Sequence, residues 1–251
     1  MYSNPAGSIP YTVQAYDNLW LLAQRYYTTT HAIAATNPGI DPNNLFIGQI
    51  INIVPGKRYD PEDHATNSTG ISKAETDLKN FLRMLWEQHI TWTRLVIVSM
   101  VFDLPDKDLV TNRLLRNAKD FEAALKPLYG AKIAAMFADL FKSHLVIAAQ
   151  LVTAAKDGDN QVATDAEKRW YANADEIAVF LGRITPYWSE VKWKKLLYDH
   201  LEMTKSEAVD MLTKNYAAGI DIYDEIELQA LKMADEMTEG IVRQFPERYA
   251  R

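Results

Sequence analysis

The chain opens on a short alternation and then changes period. Tyr11-Thr12-Val13-Gln14 alternates apolar and polar, the pattern of a strand with one buried face. Leu19, Leu22, Ala23 and Tyr26 then share one helical face over residues 18–27. Thr29 or Thr30 is placed to cap a second short helix that runs through Ala35, and Asn37-Pro38-Gly39 stops it. Asp41-Pro42-Asn43-Asn44 reads as a turn, and Ile50–Val54 as a β-branched strand closed by Pro55-Gly56. Residues 56–71 are polar and carry no apolar period, as an exposed linker would.

From Ser72 the period is helical to Phe245. Six helices are expected, at about 73–103, 107–126, 130–157, 160–184, 188–203 and 205–244. The last break is placed at Met203-Thr204, where Thr204 and Glu207 have capping-box spacing. An internal repeat runs through this part. LRMLWEQHI (82–90), ADLFKSHLV (138–146) and KKLLYDHLE (194–202) each carry a His after an apolar turn. RLLRNAKDF (113–121) and RWYANADEI (169–177) match as partner segments, with NYAAGIDIY (215–223) as a weaker third copy. A repeat of this length predicts three helical hairpins packed side by side. The expected fold is mainly α: a tail (1–9), a βααβ module (10–55), a polar linker (56–71) and a six-helix bundle of three hairpins (72–251).

Composition narrows the function classes. Of 251 residues, 48% are hydrophobic and 24% charged, the balance of an ordinary globular protein. A net charge of −6 argues against a general affinity for nucleic acid or an acidic membrane surface. The absence of Cys excludes disulfides and thiolate metal sites. Residues 1–10 show no signal-peptide pattern, and the longest apolar run, Leu95–Phe102, is too short to span a bilayer, so no membrane insertion is expected.

The segment 11–55 resembles a LysM domain. The resemblance rests on Tyr11-Thr12-Val13, on Asp17-Asn18-Leu19-Trp20 with Leu22-Ala23, on Asn37-Pro38-Gly39-Ile40, and on Asn44-Leu45, Gly48-Gln49 and Pro55. It implies a shallow groove for N-acetylglucosamine-containing glycan, peptidoglycan or chitin. The groove is expected to be lined by Tyr16, Asp17, Asn18, Leu19, Asn37, Pro38, Gly39 and Ile40. Asp17 also suits the N-cap of the first helix. Tyr16 stands where the family has Gly, and Asn18 where it has Thr. The Tyr16 ring would stack on sugar, block the groove, or be an ordinary exposed turn residue. The helical region resembles that of uncharacterised LysM-containing proteins of spore-forming Gram-positive bacteria.

His89, His144 and His200 point toward apolar interior and are the sharpest candidates in the helical part. Three imidazoles with an open position would suit a metal. Their helices lack the Glu-x-x-His spacing of bundle metal sites, which favours core histidines bonded across each hairpin to Asn117, Asn173 or Asp221. Arg94, Arg113, Arg116 and Arg169 are expected to pair with Asp or Glu, an anion pocket being the alternative. No Gly-rich phosphate loop, G-x-S-x-G, HExxH or Cys nucleophile is present, and no cofactor is expected.

The chain therefore reads as a non-catalytic cell-wall or spore-envelope protein. Its module would bind glycan, and its bundle would serve assembly or cargo, as a homo-oligomer. The resemblance implies a bacterial envelope or spore coat reached without a visible signal peptide; a cytoplasmic or lysis-released protein is the alternative. Two other functions stay open: a metal-binding or metal-dependent enzyme using the bundle histidines, and a self-assembling structural protein whose module serves as a contact.

Overall fold

A computed structural model describes residues 7–14, 17, 19–26, 28–42, 45–56 and 70–250. The chain divides into two compact units, Met1–Gly70 and Ile71–Arg251. Most of the expected linker lies outside the described residues.

In the first unit, β1 (Ile9–Thr12) pairs antiparallel with β2 (Ile50–Ile53), with Tyr11 opposite Ile51. Between them come α1 (Leu19–Arg25) and α2 (Thr30–Ala35). Two strands and two short helices cannot stand alone; they hold because Val13, Leu19, Leu22, Ala23, Ile33, Ile51 and Ile53 close into one core. Thr29 caps α2, its side chain accepting from the Ala32 amide at 3.0 Å. The first strand starts two residues earlier than its alternation predicts, and Val13 instead joins the loop pairing described below.

The second unit is helical. It comprises α3 (Lys73–Val101), α4 (Lys107–Asp157), α5 (Asn160–Ile184), α6 (Glu190–Leu212), α7 (Tyr216–Gln244) and the single turn α8 (Pro246–Tyr249). Gly130, at φ 82° and ψ 164°, breaks α4 into two rods, 107–129 and 131–157. Each rod packs on its chain neighbour and α7 returns to α3, so the three hairpins close into a ring. By length and composition α4 is apolar enough to cross a membrane, which no single uninterrupted run of the sequence suggests. Here it is broken at Gly130, and Phe137, Phe141 and Leu145 are core residues.

Two sequence expectations fail on α6. There is no break at Met203-Thr204; the helix runs on to Leu212, and the chain turns at Thr213–Asn215. Thr204 and Glu207 lie mid-helix and buried, and Glu207 pairs with Arg94 rather than capping a helix. The repeat also corrects. The amide that matches Asn117 and Asn173 in the third hairpin is Gln229, within EIELQALKM (225–233), ten residues beyond the expected segment 215–223. Ala118, Ala174 and Ala230 follow the three amides, and all are buried.

Candidate functional site

In the small unit, the β1–α1 turn is built around Asp17. Its backbone N–H donates to the Gln14 carbonyl at 3.2 Å. Its carboxylate accepts from the Gln14 amide at 2.7 Å and the Tyr11 hydroxyl at 2.6 Å, and it pairs with Arg25 at 3.4 Å. Burial opposes the charge, but Tyr11, the Gln14 amide and Arg25 outweigh it and hold the carboxyl below its ordinary range. Arg25 also donates to the Tyr11 hydroxyl at 2.8 Å, and Tyr26 meets the Tyr11 ring edge-on. The carboxylate expected as a helix cap thus closes the turn that precedes the helix.

The second loop, between α2 and β2, is pinned by Asn37. Its Nδ2 donates to the carbonyls of Ile33 and Asn52, both at 2.7 Å, and its Oδ1 accepts from the Asn52 amide at 2.7 Å. Asn37-Pro38-Gly39-Ile40 is a closed turn, the Ile40 amide donating to the Asn37 carbonyl at 3.0 Å, with Gly39 at φ 87°. Pro at the second position and a left-handed Gly at the third is the type II signature. Phe46-Ile47-Gly48-Gln49 repeats it, with Gly48 at φ 87°. The two loops meet at Val13, whose carbonyl accepts from Gly48 and whose amide donates to Gln49, each at 2.8 Å.

Residues 11–54 match the family model of the LysM domain. The small unit is a LysM module. LysM modules bind N-acetylglucosamine-containing glycans such as peptidoglycan or chitin. No curated protein and no solved structure matches the chain.

The expected groove residues of this LysM module fall into three groups. Tyr16 and Asn18 lie outside the described residues, so the Tyr16 ring has no assigned place. Asp17, Leu19, Asn37 and Ile40 turn their side chains into the turn, the core or the strand, where they hold the loops. Pro38 and Gly39 are exposed. Phe46 and Ile47, outside the expected groove set, are 63% and 74% exposed on the second loop, with Ile50 beside them in sequence at 70%. The sequence carries the signal: Leu45 is the inward residue of that loop, so the two large apolar residues before Gly48 have no core left to enter.

In the helical unit the three histidines converge. The hairpins share one bond: Asn117 donates to the Leu85 carbonyl at 3.1 Å, Asn173 to Leu140 at 3.1 Å and Gln229 to Leu196 at 2.7 Å. Each accepting carbonyl belongs to the residue four before the His, which brings the amide oxygen toward the imidazole. Asp221, expected as the third partner, is exposed on the first turns of α7.

The three rings differ in what they meet. His144 is complete: Trp170 Nε1 donates to its Nε2 at 3.1 Å, which places the ring proton on Nδ1, 3.0 Å from Asn173 Oδ1. His89 and His200 instead face each other, Nε2 to Nε2, at 3.3 Å. Burial pushes His144 down to about 3 and His200 to about 4, and His89 well below its ordinary value. Since both nitrogens of His144 are engaged, the trio offers no third ligand. Among the described residues no cluster of three or more His, Asp or Glu is set to hold a metal.

Arg94, Arg113, Arg116 and Arg169 each have an acidic partner: Glu207, Asp120, Asp120 again and Asp165. The Arg94–Glu207 pair is the buried one. Burial raises the Glu207 carboxyl to about 7 against the pull of Arg94, 2.5 Å away. Arg94 also donates to the Gly219 carbonyl at 2.9 Å and lies over the Tyr223 ring.

Proposed function

We propose that this is a non-catalytic cell-envelope protein whose LysM module binds peptidoglycan-type glycan, with the helical unit as an assembly or cargo domain. The observation that carries the reading is the pair of tight turns, Asn37–Ile40 with Pro38 and Gly39 exposed and Phe46–Gln49 with Phe46 and Ile47 exposed, on a segment that matches the LysM family model. An N-acetyl group offers one amide donor and one acceptor, which suits exposed turn backbone. Its methyl and the sugar face need a small apolar floor.

In this reading Pro38 and Gly39, with Phe46 and Ile47, supply the contact surface. Asp17, Leu19, Asn37 and Ile40 fix its shape from beneath. A single shallow module binds weakly, so self-association of the helical unit would raise avidity by presenting several modules to one polymer. A spore coat is one envelope such a protein would serve. Sedimentation of the full chain with insoluble peptidoglycan or chitin tests the proposal. Co-sedimentation that falls in a folded Phe46→Ser, Ile47→Ser variant supports it. Failure of the intact chain to sediment with either polymer sinks it.

A further inference from the structure

The internal repeat supplies its own control for one surface. On α3, Phe81, Met84, Leu95 and the C-cap Phe102 are each 40–46% exposed. Gln88 and Thr91 stand between them, so the row 81, 84, 88, 91, 95 advances by three and four residues alternately, the spacing of a helix-on-helix seam. Counted from the histidines, the same four positions of the second hairpin hold Met136, Asp139, Gln150 and Asp157. In the third they hold Lys192, Lys195, Ser206 and Thr213. The bundle closes through all three hairpins, so its own packing does not require apolar residues there. Only the α3 row is apolar at all four positions.

The row is flanked by opposite charges. On one side is the first rod of α4, where Arg113 donates to Gln88 at 3.0 Å and lies over the Trp92 ring. Arg116 is one turn further along that rod, and the two guanidiniums share a single carboxylate, Asp120. On the other side is α7, where Tyr223 meets Thr91 at 3.3 Å. Here Glu87 accepts from Thr91 at 3.4 Å, and burial together with the Glu227 charge raises its carboxyl. Arg94, the cation over Tyr223, is already held by Glu207. At the level of Gln88 the face is therefore basic on one side and acidic on the other. A two-fold axis parallel to α3 lays each flank of one copy on the opposite flank of the other, at one level. An axis across α3 lays acid on acid. Gln88, a polar residue within the apolar row, fixes the register of such a seam.

We propose that the helical unit pairs with a second copy of this chain through this face, α3 alongside α3 in parallel about a two-fold axis. Phe81, Met84 and Leu95 then each meet their own counterpart, and the Glu87–Glu227 flank of each copy receives the Arg113–Arg116 flank of the other. Parallel pairing also brings the two Lys73 ends of α3 together. Each follows its own linker, so two LysM modules are tethered at one end of the pair and can engage one polymer. The inference rests on the reading of the helical unit as an assembly domain, and it names that domain's surface and partner.

The solution mass of the full chain is measured without glycan, so that the pairing and the glycan reading can fail separately. Sedimentation equilibrium should give twice the 28.6 kDa chain at micromolar concentration. Met84→Glu, which puts a charge into the seam, should raise the dissociation constant about 100-fold or more at unchanged helix content. The chain has no Cys, so single-Cys variants report contacts cleanly. Met84→Cys and Leu95→Cys should each form a disulfide-linked dimer on mild oxidation, whereas Asp139→Cys, at the matching position of the second hairpin, should not. Glu227→Arg should weaken pairing about tenfold, and adding Arg116→Glu should restore it. The proposal is overturned if the chain stays monomeric at about 100 μM, if pairing survives Met84→Glu, or if Asp139→Cys links as readily as Met84→Cys. It is equally overturned if Glu227→Arg leaves pairing unchanged or tightens it, the second being the result that an antiparallel arrangement gives.

Discussion

Asn37 grips Asn52 from both sides, giving an N–H to its carbonyl and taking one from its amide, each at 2.7 Å. One side chain thereby ties the end of α2 to β2 and sets the path of the loop between them. This changes what substitution there would report. Asn37→Ala leaves the Asn52 amide and carbonyl without that partner, a loss on the order of 2–4 kcal/mol when the groups stay buried. A module this small has little stability to spare. The expected outcome is local unfolding of residues 9–56, seen as collapsed amide dispersion for that segment while the helical signals persist. Loss of glycan binding in this variant would follow from loss of the fold. Unchanged amide dispersion would show that the grip is dispensable.

The legible and illegible parts of the sequence separate at such residues. The strand and helix order of the module could be read because each short element carries its own turn chemistry, Thr29 at a cap and Gly39 and Gly48 at left-handed positions. The same residues in the site were harder to interpret. Asp17 and Asn37 are polar, loop-borne and part of the LysM pattern, which a sequence reader assigns to ligand; their partners, Tyr11 and Asn52, are set only by the tertiary fold. Glu207 misled in a related way. Three residues after a Thr, it mimics a capping box, and only the approach of Arg94 from α3 shows why a carboxylate can stay inside a helix. The third copy of the repeat is hidden in the sequence because Gln229 replaces Asn, while Asn215 stands nearby in a segment that does not keep the repeat's spacing.

Trp188 offers a sharper test of packing. Its indole is buried, donates to the Glu236 carbonyl at 3.1 Å and lies flush against Gly240 of α7, where an added Cβ would overlap the ring. Gly is a poor helix former, so its place mid-helix is explained by this approach. Gly240→Ala should lower stability by about 3 kcal/mol or more, in spite of the better helix propensity of Ala. Urea denaturation would detect this as a lower midpoint. The double variant Gly240→Ala, Trp188→Leu should recover part of the loss, and a neutral or stabilising single variant would contradict the packing.

The exposed apolar pair of the LysM module can be separated from its framework. Phe46 and Ile47 project outward while the backbone of their turn closes through Gly48 and Gln49. Replacing both with Ser should therefore change stability by less than about 0.5 kcal/mol, as is usual for exposed positions. Thermal denaturation should show this, and binding to insoluble glycan should fall about tenfold or more in the same protein. A variant that binds as well as the wild type would move the contact surface elsewhere on the module.

The buried titratable groups of the helical unit predict two opposing pH effects. His89, His144 and His200 are held neutral in the fold, whereas in the unfolded chain they take up protons near pH ~6.5. Their depressed values mean that stability is full above that pH and is lost as the pH falls toward about 4. Glu207 acts in the other sense. Its folded value of about 7 lies above the unfolded carboxyl range, so its contribution is present at low pH and is lost as the pH rises to about 7. Between about pH 5 and 7 the two slopes partly cancel, each amounting to a few kcal/mol. Separate variants should therefore move the profile in opposite directions. Glu207→Gln should steepen the gain in stability with rising pH, and His144→Phe should flatten it. Urea midpoints at about pH 5, 6 and 7 measure both. Parallel profiles for all three proteins would mean that these side chains titrate alike in the folded and unfolded chains, which their burial would then fail to explain.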